Sequence, residues 1–112
     1  MRLPKNRPPV PPGEILLEEF IKPLGLSQRK LAAALGISYQ RLNEIVRGRR
    51  AITVDTALRL AKFFGTTPDV WLNLQHRVDV YNAMRHVPLE NVPAYDEWKT
   101  REARKKDKVV AQ

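Results

Sequence analysis

The chain contains no cysteine, and that one absence removes disulfide frameworks, thiolate metal sites, zinc fingers and thiol nucleophiles together. It suits a reducing compartment. No stretch approaches the ~18 continuous apolar residues that a membrane span requires. Residues 1–13 are basic but broken by five prolines, where a signal peptide needs an apolar run. The expected location is the cytoplasm. Sustained apolar/polar alternation is missing throughout, so no strand is foreseen, and no segment repeats. Only two histidines occur, His76 and His86, ten residues apart on an expected helix and without a Ser-His-Asp set or metal-ligand cluster beside them. No catalytic, cofactor or metal site is expected, and the protein is read as a non-enzyme.

What is present is length for one small domain with tails, 112 residues, and a formal charge of +8 with a pI near 10.2. Such a balance points to a polyanionic partner, nucleic acid before a membrane surface. The charge is unevenly placed. Residues 1–13 carry +3; residues 27–50 carry +5, through Arg29, Lys30, Arg41, Arg47, Arg49 and Arg50 against Glu44 alone. The basic residues lie on a turn region and not along one face of an apolar amphipathic helix, which argues against a membrane role.

Residues 1–12, rich in proline, favour extended geometry and read as a flexible arm. A helix is expected from Gly13, with Ile15, Leu16, Phe20 and Ile21 on its apolar face, ended by Pro23 and Gly25. Ser27 caps a second, ending at Gly36; Ser38 caps a third with Leu42, Ile45 and Val46 inward; Thr53 caps a fourth with Ala57, Leu58, Ala61 and Phe64 inward. Thr67-Pro68-Asp69 starts a fifth, from N-cap, first-position proline and acid. It could run to about Val87. Residues 88–112 form a charged tail, with a last short helix or no order. The expected fold is all-α, a five-helix helix-turn-helix domain over residues 13–87 with an arm and a tail.

Two short helices joined by a glycine-containing turn, the second followed by a basic loop, make the helix-turn-helix plan. On the third helix, about residues 38–47, the inward set leaves Tyr39, Gln40, Asn43 and Arg47 outside, and these side chains can read base edges. Ser27 and Gln28 stand at a helix N-terminus suited to phosphate, and Arg29, Arg49 and Arg50 can clamp the flanking backbone. Any exposed helix shows polar residues opposite its apolar face, and a basic loop can be a solvated turn. The coincidence of turn, polar face and +5 charge in the same 24 residues favours double-stranded DNA.

The run from Pro12 to Gln75 resembles the HigA-type antitoxins, a branch of the Xre and phage-repressor helix-turn-helix proteins. The most specific pieces are Pro12-Gly13-Glu14, the core LSQRKLAAALGIS, the segment from Asn43 to Thr53, TALRLAKFFGTTP, and Trp71 to Gln75. The resemblance implies a bacterial antitoxin that represses its own operon and neutralises a small mRNA-cleaving ribonuclease toxin of the HigB or RelE kind. It places a phosphate-contact glutamine at Gln28 and base-reading positions at Ser38, Tyr39, Gln40 and Asn43. The chain departs from the pattern at Pro11, where a histidine is frequent, and at Ala51, where glycine is, both off the reading helix. A toxin-free Xre-family transcriptional regulator remains the alternative.

One recognition helix reads few base pairs, so a homodimer on half-sites roughly 34 Å apart is expected. The fifth helix, about residues 67–87, offers a seam of Trp71, Leu74, Val78 and Tyr81, with Val80 and Met84 beside it. The seam can pack on its own domain or join two subunits; the second is the working expectation. Toxin contacts are expected on the arm, residues 1–12, or on the tail after Pro88.

Overall fold

Three hydroxyl groups set the helix starts around which the molecule is built. Ser27, Ser38 and Thr53 hold extended backbone, and their side-chain oxygens accept the N–H of Lys30 at 3.0 Å, Arg41 at 3.0 Å and Thr56 at 3.3 Å. Each satisfies a donor that a helix start leaves without a partner. The computed structural model describes residues 7–110, with side-chain surroundings as far as Lys106. The expectation for the arm thus falls partly on residues 1–6, which lie outside the described residues.

Helix α1 starts at Pro12, is α-helical over Pro12–Ile15 and continues as a π-helix over Leu16–Ile21. The π winding was not foreseen. Leu16 and Ile21, five residues apart, would diverge by about 140° on an α-helix. The wider i→i+5 turn brings both onto one face, and both are buried. Then follow α2 (Gln28–Leu35), α3 (Tyr39–Val46), α4 (Val54–Phe64) and α5 (Pro68–His86). A 3₁₀ turn, Leu89–Asn91, precedes α6 (Tyr95–Val110). Among the described residues there is no strand.

The core gathers Leu16, Leu31, Leu35, Leu42, Ile45, Ile52, Leu60 and Trp71, with Phe20 and Phe64 packed against it. Gly13 explains how α1 fits. A Cβ there would stand 1.8 Å from the carbonyl oxygen of Ile45, so only glycine lets α1 lie directly on the backbone of α3.

Two expectations for α4 and α5 are corrected. Leu58 is 54% exposed, and the buried set is Thr56, Ala57, Leu60 and Ala61. Leu58 stands about 200° around the axis from Leu60, so the helix phase that buries Leu60 turns Leu58 outward. Thr67 occupies the N-cap position of α5 but makes no side-chain cap bond. Pro68 at the first turn presents no N–H to satisfy there.

Beyond α5 the chain leaves the bundle. The molecule extends 75 × 28 × 23 Å with a radius of gyration of 21.7 Å, whereas a compact chain of this length has about 13 Å. The expected tail is a helix, α6, held on an arm.

Candidate nucleic-acid interface

Helices α2 and α3 meet at a turn held from two sides. Gly36 adopts φ 75°, the left-handed geometry that lets α2 stop and the chain reverse. From α4, Arg59 Nη1 donates to the carbonyl of Leu35 at 2.9 Å and of Gly36 at 3.4 Å, while its Nε donates to Asp55 at 2.8 Å. Arg59 thus satisfies carbonyls that the helix end leaves open. The Asp55 carboxylate lies below the usual carboxylate range because it accepts from Arg59, with Arg41 adding to the effect.

Helix α3 buries Leu42 and Ile45 and turns Tyr39, Gln40 and Arg47 to solvent, with Asn43 half-buried. Ser27 and Ser38 both serve as caps, as their positions at helix starts dictate. Two braces cross the surface. Asn43 Nδ2 donates to Gln28 Oε1 at 3.1 Å, tying α3 to the start of α2. The Arg29 guanidinium lies 4.4 Å from the centre of the Tyr39 ring, a cation–π contact between the same two helices.

A second chain of contacts runs toward the basic loop. Gln40 Nε2 donates to Glu44 Oε1 at 3.2 Å, and Arg50 Nε donates to Glu44 Oε2 at 2.7 Å. Arg50 holds the Glu44 carboxylate below its ordinary range.

The six cations of the basic stretch therefore divide. Arg41 turns inward, donating to Asp55 at 3.2 Å and to Thr56. Arg50 pairs with Glu44. Arg29, Lys30, Arg47 and Arg49 form no ion pair with a carboxylate among the described residues. The structure thus pairs Gln28 with Asn43 and Arg29 with Tyr39 between α2 and α3, joins Gln40 and Arg50 through Glu44, and leaves Ser27 as the cap of α2.

Sequence reading missed the roles of Glu44, Arg41 and Arg59. Glu44 had a local signal, four residues after Gln40 on one helix face, and Arg59 stands four after Asp55. Arg41 had none, since its partners lie 14 and 15 residues away.

The basic loop is anchored from α5. Gln75 Oε1 accepts the N–H of Ile52 at 2.9 Å, and its Nε2 donates to Asp79 at 2.9 Å. Pro11 and Ala51, the two departures from the family pattern, line one cleft together with Ile45 of α3 and Arg49.

The dimer seam is corrected at its first position. Trp71 is fully buried against Phe20 and Phe64, and its Nε1–H donates to Thr66 Oγ1 at 3.0 Å. It has no surface left for a second subunit. Leu74 is half-buried against the core, and Val78, Val80 and Tyr81 are half-buried, while Met84 is 58% exposed. No helix among the described residues is long and apolar enough to cross a membrane.

A capped pair of helices with a glycine turn and a polar, cation-flanked second helix defines a helix-turn-helix protein. The family described as helix-turn-helix matches residues 17–71. The chain is 55% identical over 73 residues to virulence-associated protein I of Dichelobacter nodosus, covering 65% of this chain and 68% of that one. An addiction module antidote protein of the HigA family from Coxiella burnetii superposes with a TM-score of 0.74 at 47% identity, covering 80% of this chain and 100% of that chain. About a fifth of the present chain is left without a counterpart there. Antitoxin GraA in complex with its operator matches with a TM-score of 0.74 at 40% identity, over 83% of this chain and 97% of that one. The chain belongs to the Xre-type helix-turn-helix family, whose members include the HigA antitoxins.

Proposed function

We propose that the chain is a bacterial, cytoplasmic HigA-type antitoxin that binds operator DNA as a homodimer, represses its own operon and neutralises a small mRNA-cleaving ribonuclease of the HigB or RelE kind. The observation that carries the DNA reading is the Gln28–Asn43 bond, which fixes the reading helix against a phosphate-facing helix start before any DNA arrives. A preformed surface loses less freedom on binding. Tyr39, Gln40, Asn43 and Arg47, with the Ser38 hydroxyl at the helix start, are assigned to base edges in the major groove. Ser27, Gln28, Arg29 and Arg49 are assigned to phosphates. Arg50 reaches a phosphate only by sharing or leaving Glu44. Leu74, Val78, Val80, Tyr81 and Met84 are assigned to the subunit interface.

The antidote and the operator-bound antitoxin among its relatives support this reading. Anisotropy titration of the chain's own promoter against a scrambled duplex of equal length tests it. Preference for the promoter, with affinity falling linearly on a log–log salt plot, is expected. Equal affinity for both duplexes removes the operator assignment. Co-expression with the neighbouring reading frame then separates antitoxin from toxin-free regulator: rescue of growth and co-purification are expected, and neither occurs for a lone regulator.

A further inference from the structure

Two apolar faces of this chain lie uncovered, and their chemistry matches. The first is the outer side of α4. Leu58, turned out by the helix phase, and Phe63, 43% exposed, line a shallow groove with Ala34 and Leu35 of α2, rimmed by Arg59 and Lys62. Arg59 is occupied by Asp55, while Lys62 makes no ion pair among the described residues. The second face is on the C-terminal arm, the segment after Pro88 that carries α6. Val92, Tyr95 and Trp98 are 65%, 68% and 48% exposed, and the two rings lie 6.1 Å apart at the start of α6. Beside them Asp96 makes no ion pair among the described residues.

Exposed aromatic rings next to an unpaired carboxylate thus answer an exposed aromatic groove next to an unpaired ammonium. The arm does not fill the groove of its own subunit: among the described residues none of α6 lines it. A second copy brings the two faces together. Helix α5, 19 residues long, spans about 28 Å. Two such helices packed antiparallel about a two-fold axis set the end of one, and the arm beyond it, near the start of the other. There Phe64, which touches Phe63, packs against Trp71.

We propose that the arm of one subunit docks Val92, Tyr95 and Trp98 into the α4 groove of a second copy, with Asp96 facing Lys62. The exchange rests on the dimer reading above and adds to it a second contact surface. It gives an isologous, closed assembly in which each subunit both lends an arm and receives one.

The cysteine-free chain allows a direct test. Full-length Phe63→Cys and Trp98→Cys proteins are mixed and mildly oxidised, beside each variant alone and the double variant. A covalent dimer holding one of each variant is expected, at a yield about tenfold above either alone. The pair Lys62→Cys and Asp96→Cys repeats the test on exposed side chains, without removing an aromatic ring. Trp98→Ala should raise the dimer dissociation constant roughly tenfold or more in sedimentation. Lys62→Glu should weaken the dimer, and Asp96→Lys in the same chain should restore it. A dimer in sedimentation without either mixed cross-link overturns arm exchange and leaves the α5 dimer standing. A monomer at micromolar concentration overturns both. A cross-linked monomer from the double variant shows the arm folding back on its own subunit, and also overturns the exchange.

Discussion

The two tryptophans of this chain stand in opposite surroundings. Trp71, at the start of α5, is fully buried, touches two phenylalanines and has its ring nitrogen bonded. Trp98, near the start of α6, is 48% exposed and has one aromatic neighbour, on its own helix. The bundle encloses Trp71 with Phe20 and Phe64; the arm presents Tyr95 and Trp98 outward. The same division holds for polar groups. In the bundle, Asn43, Gln28, Arg41 and Arg59 are bonded across helices, whereas the arm's ion pairs, Glu97 with Arg101 and Glu102 with Lys105, are local to one helix. Order in the first region is built by bonds between helices, and in the second by bonds within one helix.

The sharpest way to break this comparison is to truncate both rings. Trp71→Ala should cost about 3–5 kcal/mol of subunit stability, while Trp98→Ala, measured by chemical denaturation at dilutions where the protein is monomeric, should change it by about 0.5 kcal/mol or less. Similar losses at both sites would end the distinction. Next comes Gly13→Ala. A methyl group has no room against the Ile45 carbonyl, so α1 must shift off α3 at a cost of about 1–3 kcal/mol or more. Operator affinity should fall with it, because the same carbonyl belongs to the reading helix. Unchanged denaturation midpoints would mean that α1 does not lie on α3.

How much of this was legible beforehand follows the range of each interaction. The caps at Ser27, Ser38 and Thr53 act over three residues, and sequence alone places them. The turn at Gly36 is equally local. Leu58 and Trp71 were misassigned, and the role of Arg41 was missed, for a common reason: their surroundings are fixed by contacts between helices. The apolar spacing of α4 permits two phases, and only packing on α5 and α2 selects the one that buries Leu60. Arg41 looks like one more cation in a basic stretch until Asp55 and Thr56 are folded beside it. At the candidate DNA face, the outward side chains were legible from helical period, but the Gln28–Asn43 bond, 15 residues apart, was not.

Within the bundle the face can be divided further. Gln40→Ala should lose about 1–3 kcal/mol at the cognate operator and relax discrimination at one or two base pairs. Arg49→Ala should weaken all duplexes alike and reduce the salt slope by about one. Anisotropy on operator and random DNA measures both, and equal losses for Gln40→Ala on the two duplexes would remove it from base reading. Gln28→Ala and Asn43→Ala, made singly and together, should couple by about 0.5–1.5 kcal/mol in folding. A coupling of zero would mean that the two helices are held together without that bond.

The smallest effect is on pH. Glu44 and Asp55 both titrate below the ordinary carboxylate range in the folded chain, held there first by bonds from Arg50 and Arg59 respectively. A depressed folded value means that the unfolded chain takes up protons first, so stability falls as pH falls. Their contribution is present in full above about pH 4–5, where both carboxylates are ionised folded and unfolded, and is lost as pH drops through their depressed folded values. Because Asp55 is exposed and Glu44 half-exposed, the loss is small and screened by salt. Denaturation midpoints followed from pH 7 downward should show a shallow decline beginning in that acid range and shrinking at high salt. Asp55→Asn should flatten part of it by removing the titrating group. On the arm Asp96 forms no ion pair among the described residues, so Asp96→Asn should leave the denaturation midpoint of the monomer at pH 7 unchanged, whereas Asp55→Asn should lower it. If Asp96→Asn lowered the midpoint as much as Asp55→Asn, which loses its bonds from Arg41 and Arg59, the internally built order of the bundle would not differ from that of the arm.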